Sequence, residues 1–204
     1  GECEEAERWY QGAVALAPDD RRVPETLLAV GNCYRQGGML AKAAEHLALL
    51  AERFPERAQG GALFLELGRL NRELGDEATA LEAFTRAAES SDPAMASQAV
   101  IVLAKDRYER GQWKEAVELT RRVTGLSGAP AELVGVAWSW QGAICEKLGD
   151  WEDALAAYNQ VLRSSTDAAL RQTAQARAEE ISRYVAAQRA IGGNGEPRDD
   201  ASSN

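Results

Sequence analysis

The sequence predicts an all-α protein of stacked antiparallel helix pairs, and three observations lead there. Apolar residues make up 45% of the 204-residue chain. Ala and Leu dominate them, and Glu, Arg and Gln fill most polar positions, all residues that cost little in a helix. β-branched runs are nearly absent outside Val100-Ile101-Val102 and aromatic content is 6%, so a sheet has little to be built from. Finally, the chain repeats itself. Ala6, Ala43, Ala80, Ala116 and Ala154 each begin a four-residue step, to Tyr10, Leu47, Phe84, Thr120 and Tyr158, at spacings of 37, 37, 36 and 38. Gly31, Gly68, Ala104 and Gly142 precede the last four of these alanines by twelve, which implies two helices per unit.

Taken in order, the predicted helices run over about 2–17, 23–36, 39–53, 59–74, 77–89, 93–110, 113–125, 130–148, 151–164 and 167–190. Gly38, Gly75, Gly111 and Gly149 fall between the two helices of each pair, where a residue free to take positive φ ends the first helix. Gly1 falls in the same register, so the opening helix is the second half of a pair, and the chain is expected to be a piece of a longer protein with repeats upstream. ERFPERAQGG and TGLSGAPAEL hold the extra residues between units, and Asp167 is the expected N-cap of the last helix. Leu170, Ala174, Ala178, Ile181 and Val185 form a stripe on that helix that can close the end of the stack. IGGNGEPRDDASSN cannot offset the entropy of its own ordering. The expected organisation is therefore a repeat array over 1–190, with a half repeat 1–18, four full repeats over about 23–165 and a capping helix over about 167–190, then a disordered tail 191–204.

These units resemble the tetratricopeptide repeat. Phe64-x-x-Leu67-Gly68, Leu27-x-x-Val30-Gly31-x-x-Tyr34 and Trp138-x-x-Gln141-Gly142 match the family's first helix, Pro18 and Pro55 fall at its closing position, and Pro93 comes one late. The resemblance implies a right-handed superhelical solenoid that binds proteins. Units of 36 to 38 residues exceed the usual 34 and are similar to those of bacterial envelope proteins, which implies a bacterial cell envelope or periplasm setting.

The chemistry is sparse. A net charge of −9 opposes general nucleic-acid binding, and no apolar run is long enough to insert this segment in a membrane. Cys3, Cys33 and Cys145 are too few and too widely spaced for a disulfide framework or a zinc site, and Cys33 and Cys145 are expected to be small buried apolar side chains. His46, the one histidine, is expected to be an exposed helix residue. With no P-loop, and with Glu4-Glu5, Asp19-Asp20 and Glu179-Glu180 at helix starts or on polar faces, no catalytic site and no cofactor or metal is expected.

In the family that these repeats resemble, the first helices of successive units line a concave groove, and the residues one and four after the small residue point into it. Here those are Asn32 and Arg35, Arg69 and Arg72, Lys105 and Tyr108, then Ala143 and Glu146. This ladder implies a groove for acidic protein or peptide segments. Val136, Ser139 and Trp140 fall on the groove side of the next unit, with Trp140 as aromatic anchor and Trp138 turned to the core. The family's carboxylate-clamping Lys is replaced by Leu28, Leu65 and Ile101, so capture of a free C-terminus is not expected. Trp113 and Trp151 are expected to be packing residues. A scaffold that binds partner segments is the function implied, with a spacer or multimerisation arm of a larger protein or envelope complex as the alternative.

Overall fold

The computed structural model describes residues 2–17, 20–59 and 61–192; Gly1, Pro18, Asp19, Gly60 and the tail from residue 193 lie outside. The described residues form eleven helices: α1 (Glu2–Leu16), α2 (Val23–Gln36), α3 (Leu40–Arg53), α4 (Pro55–Ala58), α5 (Ala62–Glu73), α6 (Glu77–Ala87), α7 (Pro93–Glu109), α8 (Trp113–Thr124), α9 (Ala131–Leu148), α10 (Trp151–Ser164) and α11 (Ala168–Gly192). Each packs on its chain neighbours, in the pairs α2/α3, α5/α6, α7/α8 and α9/α10. The first helices also lie side by side, α5 against α7 and α7 against α9. The result is an all-α solenoid of helix pairs.

The register that defines the units is a packing rule. Leu47, Phe84 and Tyr158 press on Gly31, Gly68 and Gly142, where a Cβ would lie 2.7, 2.6 and 2.8 Å from their side chains. Only glycine lets the two backbones come this close. Ala43, Ala80, Ala116 and Ala154 are fully buried on the facing helices. The turns repeat as faithfully: Gly38, Gly75, Gly111 and Gly149 have φ of 74, 82, 74 and 80°. In each unit the next N–H, of Met39, Asp76, Gln112 or Asp150, donates back to the carbonyl of Tyr34, Asn71, Arg107 or Cys145 at 2.8 to 2.9 Å, a helix-ending Schellman bond.

Local chemistry sets the boundaries. Asp92 caps α7 through the Ala94 N–H at 2.8 Å with Pro93 in the first turn, Asp76 caps α6 through the Thr79 N–H at 3.1 Å, and Asp167 accepts from the Leu170 N–H at 2.9 Å. The segment between the first two full units differs from expectation, because Pro55 starts the one-turn helix α4 and Gly61, with φ of 78°, redirects the chain so that α5 begins at Ala62. The core falls into two clusters, one from α1 to α7 with Val123 and Ala137, the other from α8 to α11. Ala174, Ala178 and Ile181 are buried and Leu170 and Val185 half-buried, so the stripe on α11 covers α9 and α10. No helix among the described residues is long and apolar enough to cross a membrane.

Two expectations about side chains are corrected. Cys3 and Cys33 form a disulfide between α1 and α2, with Cα atoms 5.6 Å apart; both are half-buried, and Cys33 is not the free apolar side chain expected. Their separation of 30 residues hides the pairing in the sequence, and only the packing of successive helices brings them together. His46 is 7% exposed, not on the surface, because its helix position is the one that faces α2. Its Nδ1 bonds the Lys42 carbonyl at 2.8 Å, Nε2 lies 3.5 Å from Glu7, and its ring tilts against Tyr34. Cys145 is buried as expected. Desolvation first, then the nearby Asp153 and Asp150, push its thiol up to about 11, which makes it a packing residue.

Candidate interaction surface on the first helices

Asn32, Arg35, Arg69, Arg72, Lys105 and Tyr108 lie one or four positions after the small residue that faces the paired helix, and Trp140 lies two before Gly142. Arg35 on α2 reaches Glu66 on α5 at 3.2 Å. Arg69 meets the other oxygen of Glu66 at 3.6 Å and donates to Gln98 on α7 at 3.2 Å. Tyr108 on α7 meets Trp140 on α9 edge to face at 5.5 Å. Beyond them Glu146 on α9 is bonded by Arg177 on α11. Each adjacent pair in the series α2, α5, α7, α9 and α11 is thus linked by at least one side-chain contact.

Its electrostatics differ from an open cationic ladder. Glu66 serves both Arg35 and Arg69, Arg72 lies 3.5 Å from Glu77 with its guanidinium over the Phe84 ring at 4.7 Å, and Lys105 lies 3.6 Å from Glu109. All four cations are exposed, so these pairs are weak and solvent-screened and can be exchanged for a ligand carboxylate at little cost. Asn32 is half-buried in a cleft of about 380 Å³ with Leu28, Arg35, Arg57, Leu63 and Glu66. Leu28 is exposed, while Leu65 is buried and Ile101 half-buried, so the positions of the missing clamp lysine are largely apolar.

At the other end the row closes on itself. Arg177 bonds both carboxylate oxygens of Glu146, the Tyr158 hydroxyl donates to it at 2.6 Å, and a second branch of Arg177 reaches Glu180. Burial pushes the Glu146 carboxyl up, but the bonds from Arg177 and Tyr158 outweigh it and hold the group below its ordinary value. Desolvation, then Glu146, raises Tyr158, and the Glu146 hydrogen bond raises Arg177. Beside this cluster is a cleft of about 580 Å³ lined by Tyr108, Ser139, Ala143, Trp151, Arg177 and Tyr184, with Trp151 and Tyr184 in ring contact at 4.7 Å. Sequence reading placed Glu146 and Tyr108 on this face but missed Arg177 and Tyr184, whose only signal was the helical stripe of α11.

Trp140 and Trp138 are both half-buried and both pack on the second core cluster. Opposite faces are covered because α9 lies among α7, α8, α10 and α11. Val136 and Ser139 are half-buried as well, and Trp113 and Trp151 pack on the same cluster. No group of acidic, His or Cys side chains among the described residues is arranged to hold a metal ion.

A row of side chains across stacked helix pairs defines a helical-repeat protein. Two segments, residues 25–57 and 135–168, match tetratricopeptide-repeat family models. The fold is similar to the crystal structure of MamA, at 21% identity over 80% of this chain and 89% of that chain, with a TM-score of 0.58. It is also similar to BtubC (BKLC) from P. vanneervenii, at 17% identity over 100% of this chain and 80% of that chain, with a TM-score of 0.54. No curated protein matches the sequence. The chain is a tetratricopeptide-like helical-repeat protein, and its repeats support a protein–protein interaction scaffold, a module that is typically non-catalytic.

Proposed function

We propose that the scaffold binds extended, acidic partner segments along the row formed by Asn32, Arg35, Arg69, Arg72, Lys105, Tyr108 and Trp140. The observation that supports this most is that side chains of neighbouring first helices meet, Arg35 with Glu66, Arg69 with Gln98 and Tyr108 with Trp140. A ligand carboxylate can replace Glu66, Glu77 or Glu109 on cations that are already exposed and oriented, and the apolar clefts beside them accept a large side chain. The Cys3–Cys33 bond supports an oxidising compartment, in line with an envelope setting.

The alternative, a spacer or multimerisation arm of a larger multi-domain protein or envelope complex, is favoured by one observation. Each cation of the row already has an intramolecular carboxylate. The two readings separate in a pulldown that compares the chain with an Arg35→Glu, Arg69→Glu, Arg72→Glu, Lys105→Glu variant. Partners retained by the parent and lost by the variant support the binding row; an unchanged set of partners favours the spacer.

A further inference from the structure

Two polar residues break the apolar register of the second helices, and they meet. Glu7 on α1 stands where α3, α6, α8 and α10 carry Ala44, Leu81, Val117 and Leu155, and His46 on α3 stands where the later units carry Ala83, Leu119 and Ala157. His46 is buried, and its Nε2 lies 3.5 Å from Glu7. The other oxygen of Glu7 accepts from the Tyr34 hydroxyl, so this side chain points to α2 and α3, the helices that follow α1. Polar groups at positions that are apolar elsewhere cost stability unless each finds a partner.

The two ring nitrogens of His46 decide what that partnership requires. Nδ1 lies 2.8 Å from the Lys42 carbonyl, and a carbonyl only accepts. Nε2 faces a carboxylate, which also only accepts. A neutral imidazole has a single N–H, so one nitrogen is left with its lone pair against an oxygen; the imidazolium has two and serves both. Burial disfavours a lone charge, but this proton pairs with a half-buried carboxylate and so lowers the net charge of the contact. The other groups around the ring are Tyr34 from α2, Lys42 from α3, whose Nζ lies 4.8 Å over the Tyr34 ring, and Glu4 from α1, which acts on Tyr34 and Lys42 by charge. Tyr34 remains a neutral donor, because its bond to Glu7, and then burial, push its hydroxyl up to about 12.

We propose that His46 and Glu7 form a pH-sensitive clasp that ties α1 to α3. With His46 protonated, the imidazolium donates to the Lys42 carbonyl on its own helix and pairs with Glu7 on α1. When the proton leaves, Nε2 turns a lone pair on Glu7, and α1 keeps only the Tyr34 bond, the packing around Tyr10 and the disulfide. The change falls between about pH 5 and 8, where histidine alters its charge. Its sign is that of any cation that gains a partner on folding: the stabilisation is present at low pH and is lost as pH rises.

His46 is the one histidine of the sequence, so its ring nitrogens give the only imidazole signals in a nitrogen-15 NMR spectrum. These signals and the amide protection factors of α1 are followed together from about pH 8 down to about pH 5.5, above the ordinary carboxylate range, with the disulfide intact. The expected result is that Nδ1 holds a proton throughout, Nε2 gains one on acidification, and protection across α1 rises about tenfold in step with it, while α5 to α10 do not follow. Glu7→Gln keeps an acceptor for Tyr34 but removes the charge, and His46→Gln removes the titration. Both should keep the parent's far-UV circular dichroism and show α1 protection that is flat with pH. Flat protection in the parent, an equal rise in Glu7→Gln, or a ring still neutral at the lowest pH overturns the proposal.

Discussion

Gln141 shows how one residue can depart from the register that surrounds it. The residue before the small position is Val30, Leu67 and Leu103 in the other units, all buried and apolar. Gln141 occupies the same place, and its Oε1 is buried without a hydrogen-bond partner. An unmade bond of this kind costs about 1–3 kcal/mol. Gln141→Leu is therefore expected to stabilise the chain by about 1 kcal/mol or more in urea denaturation; an unchanged or lowered midpoint would mean that the amide is satisfied in solution. Gly68→Ala should act in the opposite sense despite the better helix propensity of alanine, because its Cβ would lie 2.6 Å from the Phe84 ring. Overpacking of this sort costs about 1–3 kcal/mol, read in the same titration.

α1 is lightly anchored for its length. Tyr10 is its only buried residue, and beyond that it depends on Glu7 and on the Cys3–Cys33 bond. Closing a loop of 30 residues lowers the entropy of the unfolded chain by an amount worth about 3–4 kcal/mol. Cys3→Ser, or a thiol reductant, should therefore speed amide hydrogen exchange across α1 while leaving α5 to α10 unchanged; equal protection with and without the bond would show that Tyr10 and Glu7 suffice. The same helix marks the limit of what the sequence discloses. The Ala and Gly register made the helix pairs legible, since close approach demands small residues at fixed intervals. The disulfide and the burial of His46 depend on how consecutive helices dock, which periodicity along one helix does not encode. In the row, Glu66 meets Arg69 three residues on along α5, whereas its reach to Arg35 on α2 needs the neighbouring helix in place.

At the scale of the molecule, each helix touches only near neighbours, so the two ends should respond independently. At the far end charge adds to the buried stripe of α11. Glu146 joins α9 to α11 through Arg177 and has its pKa lowered in the folded chain from an unfolded value of 4.5. A depressed carboxylate stabilises the fold above the unfolded pKa, and that stabilisation is lost as pH falls below about 4.5 and through the folded value. Acidification should thus release α11 from α9 before the centre of the solenoid melts. In Glu146→Gln this part of the pH dependence should be missing, and exchange of α11 amides should already be faster at neutral pH. Because Cys3 and Glu146 share no partners, the double variant Cys3→Ser, Glu146→Gln should show changes in exchange at each end that match those of the single variants. A coupling well beyond about 0.5 kcal/mol would mean that the stack transmits strain along its length. Agreement would mean that a partner bound along the row meets a surface whose ends can be loosened one at a time.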